Sequence, residues 1–175
     1  CRVTGVELDR DAIKKLAPYC DLAIQTDLNN DEWPDMLSDV GQFDVIVAAD
    51  VLEHLYDPWT TLQRMVPFLN SRGYLVISLP NAGHASVISC LFNGDFEYQD
   101  CGLLDRTHIR FFGLKNIEAL FAQADLKIIE ARYVIMPPEE SALASNWSKL
   151  PPSIQKAIRT TAHFEVYQVV IKAVP

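Results

Sequence analysis

Three acidic side chains lie where predicted strands end, and at this position a carboxylate can bind a ligand. Glu7, Asp27 and Asp50 each follow a run of apolar and β-branched residues. In open parallel sheets, ligands bind outside the carboxyl ends of the strands. A carboxylate there can accept hydrogen bonds from both hydroxyls of a ribose, which suits Glu7, or from an adenine amino group, which suits Asp27. The competing interpretations are local: a helix-capping acid for Glu7 and a turn aspartate for Asp27.

Two histidines are the candidates for acid–base chemistry. His54 lies in the segment Asp50–Leu55, at a predicted strand–helix corner, and His108 lies in a long segment of weak periodicity. An imidazole exchanges its proton near neutral pH, so either side chain suits a catalytic general acid or base. The alternative is structural, with His54 capping the following helix and His108 pairing with Asp105.

The elements that must position these residues alternate along the chain. The predicted strands are Arg2–Leu8, Asp21–Thr26, Phe43–Ala49, Tyr74–Leu79, Leu126–Met136 and Phe164–Lys172. The predicted helices cover 11–17, 34–40, 58–72, 114–124 and 152–160. Strands and helices alternating at this spacing predict a doubly wound α/β sheet.

Four segments of this pattern carry specific expectations. Phe43–Ala49 is nearly all apolar, as is typical of a strand buried on both faces. Gly73 is expected to stop the helix that begins at Pro58. Residues 82–112 are too long for a routine connection, so we expect a substrate-binding or lid loop. The last strand follows its predecessor without a full crossover helix and is therefore expected to run antiparallel.

The composition excludes several classes of protein. The 175 residues, 49% hydrophobic and 22% charged, predict one globular domain spanning 1–175. No apolar run approaches the roughly 18 residues that a membrane span needs. A net charge of −8 disfavours nucleic acid and membrane as partners. Four cysteines without a CxxC spacing indicate reduced thiols, and no signal peptide opens the chain, so we expect the cytoplasm. The oligomeric state, a dimer included, is left open.

The order of these motifs resembles a known family, the class I S-adenosylmethionine-dependent methyltransferases. The segments that carry the resemblance are Val6–Asp9, Asp27, Asp44–Leu55, Gly73–Asn81 and Leu103–Phe112. The segments Asp50–Leu55 and Leu103–Phe112 are similar especially to bacterial small-molecule and sugar-type members, of the type 11, 12 and 23 groups. The resemblance covers essentially the whole chain.

The resemblance implies S-adenosylmethionine as cofactor and a set of residues that bind it. These residues are Glu7 at the ribose, Leu8 and Leu28 on either side of the adenine, Asp27 at its amino group, and Asp50 and Val51 under the methionine part. It also implies a mostly parallel, Rossmann-like sheet with an antiparallel last strand. The activity expected is methyl transfer to a small-molecule acceptor.

The start of the chain departs from the family pattern. The glycine-rich loop of the family should precede the acid at the ribose by about 20 residues, whereas Glu7 has six residues before it. We therefore expect an N-terminally incomplete sheet that lacks the first strand and its glycine loop and exposes unpaired edges. The chain as given is expected to bind the cofactor poorly or not at all.

A second resemblance concerns metal binding. Asp50, Glu53 and His54, with the distant His108, are similar to the Glu-x-x-Glu-His set and distant His that hold a divalent metal in small-RNA 3′-terminal 2′-O-methyltransferases. Here the first position is Asp, one carbon shorter than Glu. The structural interpretation of the two histidines is favoured, and we predict no metal site from the sequence.

Two rival functions come from other classes. A nicotinamide-dependent Rossmann oxidoreductase would also use a strand-end acid such as Glu7. A non-catalytic methyltransferase-like module of a larger protein, for example beside a glycosyltransferase, would bind no cofactor. A Glu7→Ala substitution in that module would change nothing measurable.

Overall fold

A computed structural model describes all 175 residues, which form six strands and seven helices. The strands are β1 (Thr4–Glu7), β2 (Leu22–Gln25), β3 (Phe43–Ala49), β4 (Leu69–Pro80), β5 (Lys127–Ile135) and β6 (Val166–Val174). The helices are α1 (Arg10–Leu16), α2 (Trp33–Leu37), α3 (Pro58–Met65), α4 (Ala85–Phe92), α5 (Leu114–Gln123), α6 (Ala144–Ser148) and α7 (Pro152–Arg159). None of these helices is both long and apolar enough to cross a membrane.

The strands form two sheets rather than one. β1 and β2 pair in parallel, and the other four strands follow the order β3-β4-β6-β5. β3 and β4 are parallel, whereas β6 runs antiparallel to both of its neighbours, β4 and β5. Within the four-stranded sheet β6 alone is therefore reversed, which confirms the predicted direction of the last strand and the mostly parallel α/β fold.

The main core lies between the four-stranded sheet and helices α3 and α5. It contains 21 buried residues, among them Ile117, Leu120 and Phe121 of α5. α3 begins at Pro58, and the Asp57 carboxylate accepts a hydrogen bond from its first turn. Two smaller cores lie under α4, α6 and α7.

The prediction that β3 is buried on both faces is wrong. Ala48 is its only buried residue, and the side chain of Val47 is 65% exposed. The reason is that β3 is an edge strand, which pairs with β4 on one side and borders an open cleft on the other. The apolar sequence of β3 therefore indicates apolar surroundings rather than burial on both faces, since part of the strand forms the wall of a cleft.

Two predicted connections contain structure of their own. The stretch 82–112, expected to be a lid loop, begins with α4, and its remainder packs through Leu103 and Leu104 into one of the smaller cores. The polar stretch that follows β5 contains α6, which buries Trp147. Both helices are short, and α4 is mostly apolar whereas α6 is mostly polar, so neither shows the helical periodicity that would have predicted it.

Gly73 does not stop a helix, because it lies inside β4. A Cβ atom at this position would lie 2.8 Å from the carbonyl oxygen of Phe43, in the neighbouring strand, where the register between β3 and β4 shifts. Gly73→Ala is therefore expected to lower the free energy of unfolding by about 1–3 kcal/mol, since the strands must move apart. Urea unfolding measures this loss. Ser71→Ala, at an exposed position of the same strand, is the control, and an equal effect in both variants would contradict the steric explanation.

Candidate active site

A cleft of about 410 Å³ lies between the two sheets. β1 and β3 form its facing walls, and neither has a hydrogen-bonded strand on that side. Fourteen of its 21 lining residues are hydrophobic, and the acidic ones come from the carboxyl ends of the strands. The lining includes every residue predicted to bind the cofactor, namely Glu7, Leu8, Asp27, Leu28, Asp50 and Val51. The structure thus brings six positions, spread over 45 residues of sequence, to one cavity.

Glu7 lies at the end of β1 with half of its carboxylate already engaged. Its Oε1 atom accepts hydrogen bonds from the backbone N–H groups of Leu8, at 2.8 Å, and Asp9, at 2.9 Å. Asp9, not Glu7, caps α1, since its carboxylate accepts from the N–H groups of Asp11 and Ala12. The helix-capping interpretation of Glu7 is therefore wrong. Its Oε2 atom accepts no hydrogen bond from the protein and remains available on the cleft wall.

Asp27 follows β2 and holds a local turn. Its Oδ1 atom accepts from the backbone N–H and the side-chain amide of Asn29, at 2.8 and 3.1 Å. The turn interpretation is therefore correct for one oxygen, and the other accepts no hydrogen bond from the protein. Leu8, 58% exposed, and the half-buried Leu28 lie on the same cleft. A planar apolar group with a donor at its edge would find matching partners here.

Asp50 forms the corner after β3 with a left-handed backbone, at φ 52°. Its backbone N–H donates to the hydroxyl of Ser78 on β4, which in turn donates to the Asp50 carboxylate, both at 3.0 Å. The amide of Gln168 on β6 also donates to this carboxylate. The corner is thus fixed to two further strands, and Val51 after it is held on the cleft wall.

The two predicted catalytic histidines lie together, with ring centroids 4.8 Å apart. His54 lines the cleft, whereas His108 lies behind it with a nearly buried side chain. Neither takes its expected structural role: Asp57 caps α3 instead of His54, and His108 Nδ1 donates to the carbonyl of Leu103 instead of pairing with Asp105. Burial lowers the pKa of His108, which favours the neutral ring.

Glu53 is named from the sequence only within the resemblance to a metal site, and no role is predicted for it. It lies in the short 3₁₀ turn Leu52–His54, and its side chain is fully buried. Its Oε1 atom is 3.9 Å from Nε2 of His108, and neither carboxylate oxygen accepts a hydrogen bond. Burial, together with the nearby charge of Asp50, raises the pKa of Glu53 to about 7. An acid inside an otherwise apolar run was the available signal for such a buried carboxylate.

Backbone hydrogen bonds fasten the loop that carries His108 to this turn. The N–H groups of Ile109 and Arg110 both donate to the carbonyl of Glu53 at 3.0 Å. His54 Nδ1 donates to the carbonyl of Thr107 at 3.1 Å. Residues 53 and 108, which are distant in sequence, are therefore held in a fixed relation by the main chain.

Comparison with known proteins agrees with this architecture. Residues 1–131 match the family model of a methyltransferase domain. An S-adenosylmethionine-dependent methyltransferase of Archaeoglobus fulgidus superposes with a TM-score of 0.63 at 15% identity, over 97% of this chain and 74% of that one. One from Thermotoga maritima does so with a TM-score of 0.61 at 15% identity, over 98% and 72%.

The same fold also carries other chemistry. The [4+2]-cyclase SpnF superposes with a TM-score of 0.59 at 16% identity, over 98% of this chain and 65% of that one. No curated protein matches the sequence. At these identities the solved structures establish the fold alone, whereas the family model covers three quarters of the chain. Because that model matches residues 1–131, the chain belongs to the methyltransferase-domain family, and it has the class I fold of these solved methyltransferases.

Proposed function

We propose that this chain transfers a methyl group from S-adenosylmethionine to a small-molecule acceptor. The observation that carries the proposal is that all six residues expected at the cofactor line one cleft in a fold of this family. The volume of about 410 Å³ lies within the range of pockets that hold small molecules. The surrounding net charge of −8 supports a small acceptor over a nucleic acid or a membrane surface, and the proposed location is the cytoplasm.

The residues of the cleft fit the nucleoside part of the cofactor. Glu7 offers Oε2, a carboxylate oxygen without a protein partner, to a ribose hydroxyl, and Asp27 offers its free oxygen to an amino group. Leu8 and Leu28 supply apolar surface for the adenine between them. Asp50, held by Ser78 and Gln168, presents a fixed carboxylate on the same cleft.

S-adenosylmethionine supplies, when bound, a sulfonium methyl group that already carries a good leaving group. The protein mainly has to align an acceptor with that methyl group and exclude water, so positioning supplies most of the rate. His54 is the candidate general base for a hydroxyl acceptor, because it lies on the cleft wall. His108, behind it, positions the His54 ring through their edge-to-face contact.

Titration of the full chain with S-adenosylmethionine tests the proposal, and because the six residues before Glu7 contain no glycine-rich loop we expect the affinity to be low. Glu7→Gln is expected to weaken binding at least about tenfold, because a charge-assisted hydrogen bond to the ribose becomes a neutral one. The amide oxygen can still accept from Leu8 and Asp9, so the turn itself is preserved. Isothermal titration calorimetry measures the affinity, and Glu118→Gln, at an exposed position of α5, is the matched control.

The rival functions give different results in the same experiment. A nicotinamide-dependent oxidoreductase would bind NAD instead of S-adenosylmethionine. A non-catalytic module would bind neither, and Glu7→Gln would then change nothing. Transfer of a labelled methyl group from bound S-adenosylmethionine to an acceptor is the activity that the proposal requires.

A further inference from the structure

Three side chains at the wall of the cleft, one lining it and two behind it, form a cluster of hydrogen-bond acceptors without a donor. We call Glu53, His54 and His108 the triad. Each can present one ligand atom within 4.8 Å of the other two. Glu53 is fully buried, and both of its carboxylate oxygens lack a hydrogen-bond partner. A buried and unpaired carboxylate is strongly unfavourable, so it requires either a proton or a bound cation.

The two imidazoles cannot supply a positive charge in their neutral form. His54 Nδ1 is 3.1 Å from the carbonyl oxygen of Thr107, and His108 Nδ1 is 3.3 Å from that of Leu103. A carbonyl oxygen only accepts hydrogen bonds, so each Nδ1 carries the proton and each Nε2 keeps its lone pair. For His108 this lone-pair nitrogen lies 3.9 Å from Glu53 Oε1. The backbone thus fixes both rings in the tautomer that metal-binding histidines adopt.

We propose that Glu53, His54 and His108 bind one divalent first-row transition-metal ion, such as Mn²⁺ or Fe²⁺. A carboxylate with two neutral imidazoles suits these ions, whereas Mg²⁺ prefers oxygen ligands alone. Three protein ligands leave coordination positions for water or for an oxygen atom of an acceptor. With the ion bound, Nε2 of His54 is a ligand and not a general base, and the ion itself would acidify a hydroxyl acceptor. Only the use with an acceptor rests on the proposed function, because metal binding itself needs neither cofactor nor acceptor.

Asp50 is not part of this set. Its carboxylate already accepts hydrogen bonds from Ser78 and Gln168, which fix it to the neighbouring strands. It can contribute its charge from a short distance, but a ligand role would require both bonds to break. The proposed site therefore has three protein ligands, Glu53, His54 and His108, and not the four positions of the sequence resemblance.

Mn²⁺ is the probe for the test, because the four free thiols would capture softer ions. The full chain, stripped of metal with a chelator that is then removed, is titrated with Mn²⁺ while the signal of free Mn²⁺ is followed by electron paramagnetic resonance. The expected result is one bound Mn²⁺ per chain, which an equal concentration of Mg²⁺ does not displace. Neither S-adenosylmethionine nor an acceptor is present, so a chain that does not bind Mn²⁺ would contradict the metal site without contradicting the proposed methyl transfer.

Variants of the triad decide whether the bound ion lies there. Glu53→Gln and His54→Ala are each expected to weaken Mn²⁺ binding by about 100-fold or more. Glu118→Gln and His163→Asn, which remove an exposed carboxylate and an exposed imidazole elsewhere, are expected to leave it unchanged. Circular dichroism confirms that each variant is folded. Absence of binding, displacement by an equal concentration of Mg²⁺, or unchanged affinity in Glu53→Gln would overturn the proposal. A proton on Glu53 would then be what neutralises its buried carboxylate.

Discussion

Metal-free protein carrying Glu53→Gln is expected to be more stable than the unaltered chain at pH 8 and nearly equal to it at pH 5. The pKa of Glu53 is raised by burial from 4.5 to about 7. A shift of this size corresponds to about 3 kcal/mol of unfolding free energy, which is the expected advantage of the variant at pH 8. The amide keeps the shape of the side chain and can donate to the lone pair on Nε2 of His108.

The direction follows from the protons that each state holds. Below about pH 4.5 the Glu53 carboxyl is protonated in both the folded and the unfolded chain. Between pH 4.5 and 7 the folded chain keeps this proton while the unfolded chain releases it, so stability falls as the pH rises through that window. Glutamine has no such proton, and the difference between the two proteins isolates this one group from every other titration they share.

Urea unfolding of both proteins at pH 5 and pH 8, with a chelator present, measures the effect. Glu118→Gln, an exposed acid on α5, is the control and should change little at either pH. A difference between Glu53→Gln and the unaltered chain that is the same at pH 5 and pH 8 would contradict a raised pKa. The groups that face Glu53 are Asp50, His54 and His108, and none of them changes in the variant.

The same experiment connects stability to the proposed metal site. An ion that binds the folded chain and not the unfolded one stabilises it by an amount that grows with its concentration. Addition of Mn²⁺ at pH 8, after the chelator has been removed, should therefore raise the stability of the unaltered chain and leave that of Glu53→Gln unchanged. A buried carboxylate that lowers the free energy of unfolding of the metal-free protein above neutral pH is the property expected of an empty cation-binding site.

Much of the architecture could be predicted because local sequence and fold agree. Val166–Val174 alternates in polarity and lacks a preceding crossover helix long enough for a parallel return, so both its existence and its direction followed. Strand-end acids were predictable for a related reason. The carboxyl ends of parallel strands converge, so Glu7, Asp27 and Asp50 had to meet at one cleft if the strands were correctly placed.

Other features depend on tertiary context and left no local signal. The exposure of Val47 depends on the cleft beside β3, and the strand sequence does not reveal what lies at its edge. Gly73 has the sequence context of a helix stop, and only the approach of Phe43 shows that it is required inside β4. The partners of Glu53 lie some 55 residues away, on a loop whose course is fixed by main-chain bonds.

Asp50→Ala is expected to lower the free energy of unfolding by about 3 kcal/mol, through two separable effects. Loss of the carboxylate leaves the buried hydroxyl of Ser78 and the amide of Gln168 without their acceptor, which costs about 1.5–3 kcal/mol. Alanine must also adopt φ 52°, a left-handed conformation that costs about 1 kcal/mol for residues other than glycine and asparagine or aspartate.

Two further variants at this position separate these effects. Asp50→Gly removes the same hydrogen bonds but relieves the backbone, so it should be more stable than Asp50→Ala by about 1 kcal/mol. Asp50→Asn keeps one acceptor oxygen and tolerates the left-handed conformation, so it should lie within about 1 kcal/mol of the unaltered chain. Urea unfolding at pH 7 gives all three values. Equal stabilities for the Ala and Gly variants would exclude backbone strain, and an Asn variant as unstable as Ala would exclude the acceptor role.

Because this corner leads from β3 directly into Val51 and the turn that holds Glu53 and His54, its rigidity sets how firmly the cofactor cleft and the triad are held relative to each other.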